Sequence, residues 1–218
     1  MAIYNAGYLS PIRKKLGNAV GRKWRTINVL AVYQPNVHNP RTEAQQIVRW
    51  RFGSAARLAM RAASVLGIGL RDYCRGNVAP PRSAFIGLNW VNFHADREIS
   101  YEDMQFSAGA LDAPIPDGQP GVGTALRVSQ HVNTDFIEGL TCDNHDLMYM
   151  VAYDKQLDRF FISEAKVRAD DEIFIEFPSA AGGHRVYCYL FCVGAKNQIT
   201  EGKTSPTVYL GNPTVTAA

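Results

Sequence analysis

Tyr187-Cys188-Tyr189-Leu190-Phe191-Cys192-Val193 is apolar at every position. A strand turns successive side chains to opposite faces, so a run without alternation must be covered on both sides and belongs at the centre of a sheet. Working outward from it, the chain reads with period two from about residue 99 onward. Strands are expected over 104–111, 124–130, 147–153, 159–163, 172–177, 185–193 and 207–210. Turn-rich text separates them, including 112–123 with Pro114, Pro116, Gly118, Pro120, Gly121 and Gly123, and Ala180-Ala181-Gly182-Gly183. Seven short strands spaced in this way predict a β-sandwich of the immunoglobulin or fibronectin type III kind.

The first hundred residues read differently. Residues 1–38 are punctuated by Gly17 and Gly21 and rich in β-branched and aromatic types, which predicts an arm or β-hairpin whose second strand, 27–33, ends at Pro35. In Asn39-Pro40-Arg41-Thr42-Glu43-Ala44-Gln45, Thr42 is an N-cap with Gln45 three residues on, a capping box that starts a helix. At about 100° per residue, Val48, Phe52, Ala55, Ala59, Ala62, Ala63 and Leu66 share one face, and Arg49, Arg57 and Arg61 lie on a separate arc. The face is mostly alanine, so another backbone can approach closely. Gly67 and Gly69 interrupt the helix, and Pro80-Pro81 starts a second one over 83–94, with Phe85, Leu88 and Asn92 on one side. The expected class is therefore α+β, mainly β, with two domains. Residues 1–98 form a basic arm, hairpin and two-helix unit, and 99–218 the sandwich.

Charge follows the same division. Residues 1–75 carry 13 Lys+Arg against two acids, a net +11, while 76–218 carry 10 against 18, a net −8. The near-neutral total of +3 hides a basic front and an acidic back. Such a split points to an anionic partner or to head-to-tail assembly of like subunits. No run of apolar residues is long enough to span a bilayer, and the first residues lack the order of charge and apolar core of a secretory signal. The four cysteines, Cys74, Cys142, Cys188 and Cys192, fit reduced thiols made in a cytoplasm.

Gly17-x-x-x-Gly21-x-x-Trp24, then Pro35, then Asn39-Pro40-Arg41-Thr42-x-x-Gln45-x-x-x-Arg49-x-x-Phe52, resembles the signature of an uncharacterised domain family of Bacteroidota genomes and their phages. The C-terminal Tyr209-Leu210-Gly211 strand resembles that family as well, and the Asn-Pro-Arg-Thr run is similar to short segments of phage virion proteins. The resemblance implies no activity. It implies a setting: a virion component, made in the bacterial host cytoplasm, whose partners are copies of itself or other virion proteins.

Arg13, Lys14, Lys15, Arg22, Lys23 and Arg25, with Arg49, Arg57 and Arg61, are the candidate contacts for an anionic partner. They could neutralise phosphates, with Trp24 stacking on a base. They could equally dock on an acidic protein surface or remain a solvated basic face. Cys142-Asp143-Asn144-His145-Asp146 gathers metal-ligating types, but no second Cys or His pair completes a tetrahedral set, so an Asx-rich turn is the expectation. His131, His145 and His184 have no nucleophile elbow beside them, and Gly17-x-x-x-Gly21 and Gly67-x-Gly69 lack the ending of a phosphate loop. Cys188 and Cys192 lie four apart on one strand, roughly 13 Å at about 3.3 Å per residue, too far to bridge. Tyr187 or Tyr189 would be a structural corner tyrosine. The reading is thus a non-enzymatic structural protein with no cofactor, no metal and no membrane span. It would assemble as a homo-oligomer through its basic arm and alanine-rich helix. Nucleic-acid binding by the N-terminal region and adhesion or glycan binding by the sandwich loops are the alternatives.

Overall fold

The structure, a computed structural model, describes residues 2–4, 13–24, 27–36, 39–75, 79–123, 126–136 and 138–216. The chain divides into two compact units, Met1–Gln45 and Gln46–Ala218. In the first, β1 (Ala2–Tyr4), β2 (Lys14–Leu16), β3 (Ala19–Trp24) and β4 (Ile27–Val32) form an antiparallel sheet in the order β1-β4-β3-β2. Gly17, at φ +56°, supplies the left-handed backbone between β2 and β3. The expected hairpin is present with a further strand on either side, and Pro35 follows the end of β4.

Helix α1 (Glu43–Arg61) begins where the cap predicted, with the Gln45 N–H donating to Thr42 Oγ1 at 3.4 Å. The reciprocal half of the capping box is not made, since Gln45 Oε1 accepts no hydrogen bond. The helix breaks at Ala62, earlier than Gly67, and resumes as α2 (Ala63–Gly69). With α3 (Pro81–Leu88) there are three helices, one more than expected. Asn89 ends α3 early: its side-chain N–H groups reach the Phe85 carbonyl at 3.0 Å and the Gln105 carbonyl at 2.8 Å, while its Oδ1 accepts from the Gln105 N–H at 2.7 Å. Residues Trp90–Asn92 continue as one 3-10 turn.

Seven strands and one short addition complete the second unit. β5 (Pro116–Val122), β6 (Arg127–Val132) and β10 (Glu172–Glu176) make a three-stranded sheet in the order β10-β6-β5. β7 (Leu147–Asp154), β8 (Arg159–Ile162), β11 (Val186–Val193) and β12 (Val208–Gly211) make a second in the order β12-β11-β7-β8, with the two-residue β9 (Lys166–Val167) also on β7. All named pairings are antiparallel. β11 is central, as its uninterrupted apolar run predicts. Tyr189 and Phe191 join one cluster with Val151 and the helical residues Ala55, Leu58, Leu66 and Phe85. Cys188, Leu190 and Cys192 join another with Met148, Met150, Val128 and Ile173.

Two strand expectations also fail. Residues 104–111 form no strand, and their burial does not alternate: Met104 and Phe106 are buried two apart, but Ser107 and Leu111 are buried out of that phase. Their backbone is satisfied elsewhere: the Phe106 and Ser107 N–H groups both donate to Thr207 Oγ1, at 2.9 and 2.8 Å, and the Leu111 N–H donates to the Thr204 carbonyl. Conversely, the Pro- and Gly-rich stretch expected as turn contains β5. It lies at a sheet edge, where proline need not donate, and its register with β6 shifts between Asp117 and Gly121.

Candidate assembly surface

Register sorts the first sheet into two faces, because paired residues of antiparallel strands point the same way. Lys15 pairs with Val20, Arg22 with Val29 and Trp24 with Ile27, and these alternate positions share one face. Lys14, Leu16, Lys23 and Val32 belong to the other. Of the described residues of β2, β3 and β4, only Gly21 and Val29 are buried. Leu16 is 62% exposed, Trp24 52% and Val32 78%. Lys15 holds its ammonium 3.8 Å from the Tyr33 ring centroid, a cation–π contact on a half-exposed ring. Apolar side chains that water still reaches are thus interleaved with Lys14, Lys15, Arg22 and Lys23, all exposed. Burying one such large side chain is worth about 1.5–3 kcal/mol. Arg13 is exposed as well, and Arg25 lies outside the described residues.

The remaining predicted cations are on α1. Arg49 is exposed on the helix. Arg61 Nη2 lies 3.2 Å from Asp158 Oδ2, a partly exposed pair worth at most about 1 kcal/mol. Asp158 also accepts from the Tyr153 hydroxyl at 3.1 Å. Arg57, Tyr101, Tyr153 and Lys155 line a cleft of about 250 Å³ here, with the Tyr101 and Tyr153 rings 5.4 Å apart. Burial pushes both phenols above their ordinary range, so each stays protonated, and Tyr153 is the one that donates to Asp158. The alanine face of α1 is consumed internally: Ala55 and Ala59 are buried, as is Ala62 just beyond its end. Two residues on the same stripe, Val48 and Phe52, remain exposed. The helical period placed them beside the alanines but could not tell which turns would be covered.

The other sequence candidates have structural work. In the 142–146 segment, Asp143 Oδ1 accepts the His145 N–H at 2.8 Å and Asp146 Oδ2 accepts the Asp143 N–H at 3.0 Å. Asp146 Oδ1 accepts from the Thr200 hydroxyl at 2.6 Å, so both oxygens of this buried acid are taken. This is the expected Asx turn. His184 Nδ1 lies 2.7 Å from Asp154 Oδ2, while Asp154 Oδ1 accepts the Gln156 and Leu157 N–H groups, so the pair braces a turn against β11. Cys188 and Cys192 are fully buried, and burial pushes each thiol up to about 12. The Tyr189 hydroxyl donates to the Tyr101 carbonyl at 2.6 Å, tying β11 to a distant loop.

These features define an α+β protein, mainly of strands, with an N-terminal hairpin sheet, three helices and further antiparallel sheets. The chain belongs to a family of unknown function, DUF6266, which it matches over residues 11–211. No curated protein and no solved structure matches it.

Proposed function

We propose that this protein is a non-enzymatic structural protein that assembles by seating its basic N-terminal sheet on an acidic surface of a neighbouring copy or another virion component. The observation that carries this reading is the sheet itself: among the described residues of β2, β3 and β4 only Gly21 and Val29 are buried, and Leu16, Trp24 and Val32 are exposed among four cations. A sheet this small needs a partner to bury enough apolar surface. The net −8 of residues 76–218 offers a complementary charge in every copy. The virion setting rests on the resemblance of the Asn39-Pro40-Arg41-Thr42 run. The sandwich expected from the strand pattern is supported by the core that β6 and β10 share with β7 and β11.

Light scattering of the purified chain against salt, with and without nuclease, tests the proposal. A discrete oligomer that survives nuclease, dissociates as salt rises past about 0.1 M, where the Debye length is about 10 Å, and is lost in the Arg22→Glu/Lys23→Glu double variant is the expected result. A monomer at low salt and high concentration refutes it. One observation favours a second reading: Arg22 and the exposed Trp24 share a sheet face, the arrangement that stacks and neutralises single-stranded nucleic acid. Mass that vanishes on nuclease treatment selects that reading instead.

A further inference from the structure

A second basic feature belongs to the second unit. Residues 70–75 curl after α2, with the Cys74 N–H donating to the Leu70 carbonyl at 3.0 Å and the Arg75 N–H to the Asp72 carbonyl at 2.8 Å. Arg71 and Arg75, four positions apart, both reach one cleft. Its other wall is the loop after β11, closed by the Gly194 N–H on the Lys203 carbonyl at 2.9 Å. The loop tolerates nothing larger than glycine at two points. A Cβ on Gly194 would run into the Thr200 carbonyl, and one on Gly202, at φ +75°, would run into the Arg75 guanidinium. Arg75 is held there, its Nη2 donating to the Gly202 carbonyl at 3.2 Å.

The cleft is open to solvent and holds about 630 Å³, within the usual range of small-molecule sites. Arg71, Arg75 and Lys196 line it, with one carboxylate, Glu201, whose Oε2 already accepts the Asn197 N–H at 2.8 Å. Among the described residues, neither the Arg71 guanidinium nor the Lys196 ammonium makes a hydrogen bond or ion pair. Three cations around one concavity repel each other. Lys196 comes from the part of the chain that is otherwise acidic. An anion seated between them removes the repulsion.

We propose that this cleft binds a small phosphorylated ligand by its phosphoryl group. A tetrahedral phosphoryl offers oxygens in three directions, enough to accept from two guanidinium groups and one ammonium together, whereas a planar carboxylate reaches fewer. The experiment is calorimetric titration of the full chain with inorganic pyrophosphate in low-salt chloride buffer, with citrate in parallel. One saturable site per chain is expected, weakened tenfold or more by Arg71→Ala and by Lys196→Ala, with the ligand-free melting temperature unchanged in both. The Arg22→Glu/Lys23→Glu variant should bind pyrophosphate normally, which separates this site from the proposed assembly surface. No saturable heat, affinity unmoved by Arg71→Ala and Lys196→Ala, loss of binding in the Arg22→Glu/Lys23→Glu variant, or equal affinity for citrate would each overturn the proposal.

Discussion

Thr207 stands in for a missing strand. Its hydroxyl oxygen accepts the backbone N–H groups of Phe106 and Ser107 and lies 2.8 Å from Ser107 Oγ, all in a buried site. Gly69 allows the approach from the helical side, since a Cβ there would lie 2.5 Å from the Phe106 carbonyl oxygen. Thr207→Val keeps the shape and removes the acceptor. Two buried donors are then orphaned, at about 1–3 kcal/mol each, so denaturant unfolding should show a loss of about 2 kcal/mol or more. A loss below about 0.5 kcal/mol, the range of an ordinary surface substitution, would mean the loop finds other acceptors. The spacing of Met104 and Phe106 signals their burial, because side-chain burial follows from local spacing, although Leu111 is buried out of that phase. It does not reveal what satisfies the backbone, which here is one hydroxyl.

At the scale of elements, α1 carries one apolar stripe with two fates. Ala55 and Ala59, with Ala62 just beyond the helix end, are covered by residues of the second unit, while Val48 and Phe52 stay in water. Ala59→Leu should overpack the covered stretch and cost about 1–3 kcal/mol, read as a lower denaturation midpoint. Phe52→Ser should leave stability within about 0.5 kcal/mol. If α1 takes part in assembly, the same variant should also lower the light-scattering mass at low salt. An unchanged mass would confine assembly to the sheet. The start of α1 is legible from Thr42 because capping is a matter of three residues. Its break at Ala62 is not, since nothing there disfavours helix. β5 is the opposite case: its prolines and glycines argue against a strand, and only the unpaired edge beside β6 makes room for one.

For the whole molecule, the buried ionisable groups predict how stability varies with pH. Cys188 and Cys192 rise from an ordinary 9.0 to about 12, and Tyr209 from 10.0 to about 12, in each case chiefly through burial. Folding raises these values, so the unfolded chain loses protons first as pH increases. Stability from these groups is complete below about pH 9 and is lost as pH climbs towards 12. Thermal melts should therefore hold a plateau near neutrality and fall across that window, with a shallower fall in the Cys188→Ala/Cys192→Ala variant. An equally steep fall in that variant would assign the alkaline loss to other groups.

The central position of β11, the cap that opens α1 and the uneven charge are properties of the sequence by itself. Each depends on residue types within a few positions or on simple composition, so no partner is needed to read them. Tertiary structure alone decided that 104–111 would forgo a ladder, that a proline-rich segment would pair, and which half of the α1 stripe would be covered. Those outcomes turn on groups far along the chain, as Thr207 is 101 residues from the N–H of Phe106 that it accepts. The convergence of Arg71 and Arg75 with Lys196 belongs with them, because like charges so distant in sequence are brought to one cleft only by the packing of the loop after β11.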